Sequence, residues 1–224
     1  RAAKLARQAK GVLEAHHLLQ VLLEEPTDAM TQVMKGVGAG MRPAEPPLHS
    51  PYLQDLLELA EAGKPAAPEI WISQVRVLTE AMQSGDLTPI LLICASQIRV
   101  VPMVGRVAQE LKDQKRLLRI DHGKIFRDTE EEEMFATRMA ELLNEAADAE
   151  DLVLLVDATE EGTKMTSRLL ATLGPALTKA RPRLAVAVSA MVYRDVIEHD
   201  PKWDGAFRAI WLHSLTEGDV PAEL

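Results

Sequence analysis

With 224 residues, 47% hydrophobic and 26% charged, the chain has the apolar content to bury a core and does not fall in the disordered class. Its formal net charge of −9 excludes the basic footprint that nucleic acid or an anionic membrane surface requires, and no apolar stretch approaches the ~20 residues that cross a bilayer. A single cysteine, Cys94, excludes an internal disulfide framework, so a reducing, cytoplasmic setting is expected.

Residues 1–63 are expected to form a short all-helical segment. Leu18, Leu19, Val21, Leu22 and Leu23 share one apolar face, and Glu24-Glu25-Pro26 stops that helix. A second short helix, Asp28 to Lys35, ends at Gly36. The stretch Gly38 to Pro51 holds four prolines and two glycines and reads as a loop. Leu53, Leu56, Leu57 and Ala60 then recur at helical spacing, with Gly63 as the C-cap. Residues 64–69 read as a linker.

From 70 to 224 the rhythm changes. Ile70 to Ser84 is a predicted helix, and apolar runs follow at Ile90 to Cys94, Leu117 to Ile120, Leu152 to Val156, Leu184 to Val188 and Ala209 to Leu212. Helical stretches lie between them, near Pro102 to Lys112, Thr129 to Ala147 and Thr163 to Lys179. Continuous apolar strands separated by helices predict a five-stranded parallel sheet covered on both faces, a doubly wound α/β domain.

Two resemblances enter on particular residues. Glu14-Ala15-His16-His17-Leu18-Leu19-Gln20-Val21-Leu22-Leu23 resembles a helix of the Clp amino-terminal domain, and Ser50 to Ala62 resembles the opening of that domain's second repeat, here abbreviated. Residues 70–212 resemble the first AAA+ module of the Clp chaperone ATPases. The matching stretches are Val75 to Leu78, Pro89 to Ile93, Val107 to Leu111, Leu118 to Gly123, Leu152 to Asp157, Leu173 to Leu177 and Tyr193 to Asp200, in family order. The resemblance implies an AAA+-type P-loop αβα sandwich. With the five strands numbered in chain order, it implies the sheet order 5-1-4-3-2 and Asp157 at the carboxyl end of a central strand. No helical lid is expected after it.

The same resemblance shows which chemistry is missing. A phosphate loop needs glycines to curl N–H groups around phosphates, a Lys to neutralise them and a Ser or Thr for Mg²⁺. Its counterpart, Cys94-Ala95-Ser96-Gln97-Ile98-Arg99-Val100-Val101, has no glycine; Val100 stands for the lysine and Val101 for the metal ligand. Asp157 holds the place of the Walker B Asp and Ala158 that of the catalytic Glu, so no general base is left there. Asp157 also reads as a strand-end residue capping the next turn. Glu160 and Glu161 are expected to point away, and Arg99 reads as a surface charge or an anion contact. Asp204-Gly205-Ala206 fills the arginine-finger stretch, and Ser189 is a lone polar residue at the sensor position.

Where the family threads its substrate past an aromatic, this chain reads Asp128-Thr129-Glu130-Glu131-Glu132-Glu133. Asp128 or Thr129 capping a helix, with glutamates in its first turn, accounts for the run structurally. An acidic partner-docking patch is the alternative. Adjacent His16 and His17 point about 100° apart on a helix and cannot share a metal. Trp203, Phe207 and Trp211 read as core or as an interaction surface.

Together these features imply a protein without ATP hydrolysis, cofactor or metal. Its expected role is as an interaction, adaptor or regulatory module for a protein partner, such as a Clp-type or other multi-subunit assembly. Glu14, His17 and Glu130 to Glu133 are the candidate contacts. A nucleotide sensor that binds ATP or ADP without turnover is the alternative.

Overall fold

The apolar runs fold as parallel strands in a computed structural model that describes residues 50–62, 71–95, 98–129, 131–203 and 205–213. The chain divides into two units, 1–46 and 47–224. The readings of Glu14, His16, His17 and the helices between Leu18 and Lys35 lie outside the described residues, as do Glu130 and Asp204.

In chain order the elements are β1 (Leu53–Asp55), α1 (Leu56–Glu61), α2 (Ile72–Gln83), β2 (Ile90–Cys94), α3 (Val100–Leu111), β3 (Arg116–Ile120), α4 (His122–Asp128), α5 (Glu132–Glu145), β4 (Leu152–Ala158), α6 (Thr163–Lys179), β5 (Arg183–Ser189) and α7 (Ala190–Val192). A single π turn (Tyr193–Ile197), a 3-10 turn (Pro201–Trp203) and β6 (Arg208–Leu212) complete them. The sheet order is β1-β3-β4-β5-β2-β6. From β6 to β3 this is the implied 5-1-4-3-2 arrangement, parallel throughout.

Alternation along each strand builds two cores. Leu91 and Ile93 join Leu154, Val156 and Val186 beneath α4, α5 and α6. Ile90, Leu92 and Cys94 join Val153, Leu155 and Ala185 beneath α1, α2 and α3. β2 is buried at every residue. A strand covered on both faces has no polar face to present, which is why these runs read as unbroken hydrophobicity.

Three expectations are corrected. Among the described residues the sheet has six strands, because Leu53–Asp55 pairs antiparallel with β3, Leu53 opposite Ile120 and Asp55 opposite Leu118. Residues 53–61 therefore build part of the α/β unit and not a separate helical segment. Asp55 makes the turn from strand to helix: Oδ1 accepts from the Leu57 N–H at 2.9 Å, and Arg116 Nε donates to Oδ2 at 3.2 Å. Three residues are too few for a strand period to show in sequence, and the adjoining Leu56, Leu57 and Ala60 masked it with helical spacing. Finally, the helix expected from Thr129 to Ala147 begins only at Glu132, and a separate helix, α4, precedes it and ends at Asp128. Thr129 is the C-cap of α4, its hydroxyl donating back to the Ile125 carbonyl at 2.8 Å, and α5 starts after Glu131 without a side-chain cap.

Candidate functional site

Open α/β sheets bind ligands outside the carboxyl ends of their strands. Here that region is a cleft of about 950 Å³. One wall is apolar: Leu56, Leu59 and Ala60 of α1 with Cys94, Ala95, Ile98 and Val101. Gly105 of α3 lets α1 approach closely, since a Cβ there would lie 3.3 Å from the Ala60 Cβ and 3.6 Å from the Leu56 carbonyl oxygen. The opposite wall is charged and comes from the ends of β3 and β4: Arg119, Asp121, His122, Asp157, Glu160 and Glu161.

The described residues that open α3 are packed into the core. Val100, at 1% exposure, is a core residue at the first turn of α3, and Val101 packs against the same cluster. Arg99 is the N-cap of α3 and makes no side-chain cap bond; its guanidinium reaches Glu160 at 3.4 Å, with both side chains exposed. Exposed pairs of this kind contribute little. Cys94 is buried, its thiol donating to the Leu92 carbonyl at 3.7 Å. Burial pushes that thiol up to about 12, and the Asp157 charge acts in the same direction. A thiol so placed is a core residue and not a nucleophile.

Asp157 engages one oxygen locally and turns the other toward β3. Oδ1 accepts from the Thr159 backbone at 3.2 Å and from its hydroxyl at 2.7 Å, and Oδ2 faces Arg119 Nη2 at 3.9 Å. That is the turn-capping arrangement. Ala158 is fully buried in the core under α4 to α6. Ser189 Oγ accepts from the Val192 N–H at 3.2 Å and caps α7. Among the described residues no group of three or more His, Cys, Asp or Glu is placed to hold a metal ion.

Glu161 departs from its expected direction. It turns back into the cleft, where Oε1 lies 3.0 Å from His122 Nε2. His122 is 6% exposed and its Nδ1 is buried with no partner among the described residues. Beside it, Gln54 Nε2 donates to Asp121 Oδ2 at 3.3 Å, and Arg119 Nη1 donates to Gln54 Oε1 at 3.4 Å. This network ties β1 to the ends of β3 and β4. Sequence reasoning missed Gln54, Arg119 and His122 as site residues; the only available signal was that Asp121-His122 follows a strand.

The acidic segment lies apart from this cleft. Glu131 and Glu133 are exposed, whereas Glu132 is held by Arg168, whose Nε donates to Oε1 at 2.6 Å with a second contact from Nη2 to Oε2. That bond keeps the Glu132 carboxyl below its usual range. Glu132 is thereby paired within the chain while its side chain stays largely exposed. Trp203 is core and packs against Phe207, with ring centroids 5.9 Å apart, whereas Trp211 stays exposed against Tyr193.

No protein-family model matches the sequence, and no curated protein matches it. Solved structures do. A closed-state cryo-EM reconstruction of Hsp104 with ATPγS and FITC-casein superposes with a TM-score of 0.61 at 19% identity, over 75% of this chain and 31% of that one. An S. cerevisiae Hsp104–ADP complex gives 0.59 at 19% identity, over 75% of this chain and 25% of that one. The chain thus spans about a quarter to a third of the Hsp104 chains it matches. The likeness establishes the fold, that of the matched part of Hsp104, and nothing beyond it. No helix among the described residues is long and apolar enough to cross a membrane.

Proposed function

We propose that this chain is an AAA+-fold module without ATP turnover that works by binding a protein partner. The observation that carries the reading is Val100. Hsp104 shares the fold and is seen with ATPγS and with ADP, yet here the position that would supply the phosphate-binding lysine is a core valine at 1% exposure. Buried Ala158 at the general-base position and the locally satisfied Asp157 support it. A fold kept without its chemistry serves through its surfaces, an argument that rests on the fold and on elimination.

Calorimetry with ATP and ADP, with and without Mg²⁺, tests this together with a phosphate-release assay. No heat of binding and no release above buffer are expected. Magnesium-dependent release abolished by Asp157→Asn would overturn the reading. One observation favours the sensor alternative: the cleft of about 950 Å³ is open and has Arg106 and Arg119 in its lining. Micromolar nucleotide binding without release would select it.

A further inference from the structure

Among the described residues, the corner where α4 passes into α5 exposes two large apolar side chains, Phe126 at 43% and Met134 at 51%. Phe126 stands edge-on to the buried Phe135 ring, centroids 6.1 Å apart, so it is held in place. Arg168 covers part of it, 5.7 Å from the ring centroid, while bound to Glu132. Phe126 is thus fixed by the fold and left partly open to solvent, and Met134 is exposed in the first turn of α5.

Its border is acidic. The segment 128–133 carries Asp128 and four glutamates without a cation. Arg168 neutralises Glu132, whereas Asp128, Glu131 and Glu133 are exposed and no described residue forms an ion pair with them. The cations close by are Arg127 and Lys164, the latter acting on Glu132. Apolar contacts ringed by surplus carboxylates repel nucleic acid and anionic lipid. They complement a segment that carries apolar residues on one face and lysines or arginines beside them.

We infer that the α4–α5 corner, with Phe126 and Met134 at its centre and Glu131 and Glu133 at its rim, docks a basic amphipathic helix of a partner protein. The inference rests on the reading of the chain as an interaction module and names that module's surface and the chemistry of its partner.

The probe is a labelled peptide of about fourteen Leu and Lys residues with the leucines at helical spacing. A counterpart with Glu for Lys and a scrambled Leu/Lys sequence serve as controls, and fluorescence anisotropy with the full chain reads binding. The ordered basic peptide is expected to bind saturably, at least about tenfold more tightly than either control, and to weaken between about 50 mM and about 500 mM NaCl. Phe126→Ser with Met134→Ser, and separately Glu131→Lys with Glu133→Lys, should each weaken it by about tenfold or more. Met191→Ser, at another exposed methionine, should leave it unchanged. All three sets are surface substitutions, and an unshifted melting temperature certifies their folds. A Glu131→Gln, Glu133→Gln pair stands in for the lysine pair if that shifts.

Absence of saturable binding overturns the inference. So does equal binding by the Phe126 and Met134 variant, or an equal loss with Met191→Ser. Phosphate release measured on the same samples separates the two readings. Release with intact peptide binding removes the turnover-free reading and keeps the surface; neither release nor binding does the reverse.

Discussion

Gly105→Leu is the sharpest test of where residues 53–61 belong. Gly105 sits inside α3, and α1 crosses it so closely that even a methyl would press on Ala60 at 3.3 Å. With Gly105→Ala two effects oppose each other. Helix propensity favours Ala by about 1 kcal/mol, and a shift of a few tenths of an ångström at Ala60 takes most of that back. The net change should be below about 0.5 kcal/mol. Leucine has no such compromise. Overpacking costs about 1–3 kcal/mol if α1 stays. If α1 leaves, the chain loses the burial of Leu56, worth about 2–3 kcal/mol, and the Asp55 cap, worth about 1 kcal/mol. Overpacking is the cheaper route and bounds the loss at about 1–3 kcal/mol. Urea melts read that loss, and hydrogen exchange shows whether α1 amides open while β2 to β5 stay protected. A leucine variant as stable as the parent, with α1 still protected, would refute the packing of α1 on Gly105.

Arg183 opens β5 and is buried, donating to the Ala81, Met82 and Ser84 carbonyls at 2.6, 2.9 and 2.7 Å. It thereby closes the carboxyl end of α2; Arg183→Met should cost about 3–5 kcal/mol in chemical denaturation, and a loss below 1 kcal/mol, on the order of a surface contact, would contradict that role. The Arg168 bond holds the Glu132 carboxyl down, so its contribution is present above the ordinary carboxylate range and is lost as pH falls through the lowered value. In a carboxyl-carbon NMR titration, Arg168→Gln should move the Glu132 midpoint upward; an unmoved midpoint would show that the ion pair does not persist in solution.

Much of the sheet was legible because burial on both faces leaves an unmistakable trace. Ile90–Cys94 and Leu184 to Val188 have nothing polar to alternate, and Gly85 and Pro89 punctuate the approach to the first. β1 was not legible. Its pairing is decided by the open edge of β3, a tertiary partner that local pattern does not contain, and Gln54 becomes a site residue only through that pairing. The α4–α5 break was hidden for a similar reason. Glutamates favour a helix start anywhere along 130–133, but Thr129 is taken by the end of α4. At the cleft, identities told which groups were absent, whereas distances told what replaced them. The His122–Glu161 contact spans 39 positions and depends on the start of α4 meeting the loop after β4.

That distinction decides how the proposed absence of ATP turnover can be probed, and it separates Val100 from Ala158. Val100 is buried but lines the cleft, so a lysine there can keep its stem on the apolar wall and extend its ammonium outward. Val100→Lys should cost only about 1–2 kcal/mol. Ala158 has no such exit. It is fully buried in the core under α4 to α6, and a carboxylate placed there must desolvate among apolar neighbours. Ala158→Glu should cost about 3–5 kcal/mol at neutral pH. Burial raises the folded-state pKa of the introduced carboxyl above its unfolded value, so the folded state binds more protons between the two. The damage is therefore greatest above the raised pKa and eases as pH falls through it. Melts at about pH 8 and about pH 5 should show the variant recovering toward the parent at the lower pH. The double variant should release no phosphate, because the stretch from Cys94 to Val101 still holds no glycine to turn N–H groups toward an anion. An Ala158→Glu chain as stable as the parent at both pH values would mean that position 158 opens to the cleft. Turnover by the double variant would then mean that only two side chains separate this fold from an ATPase.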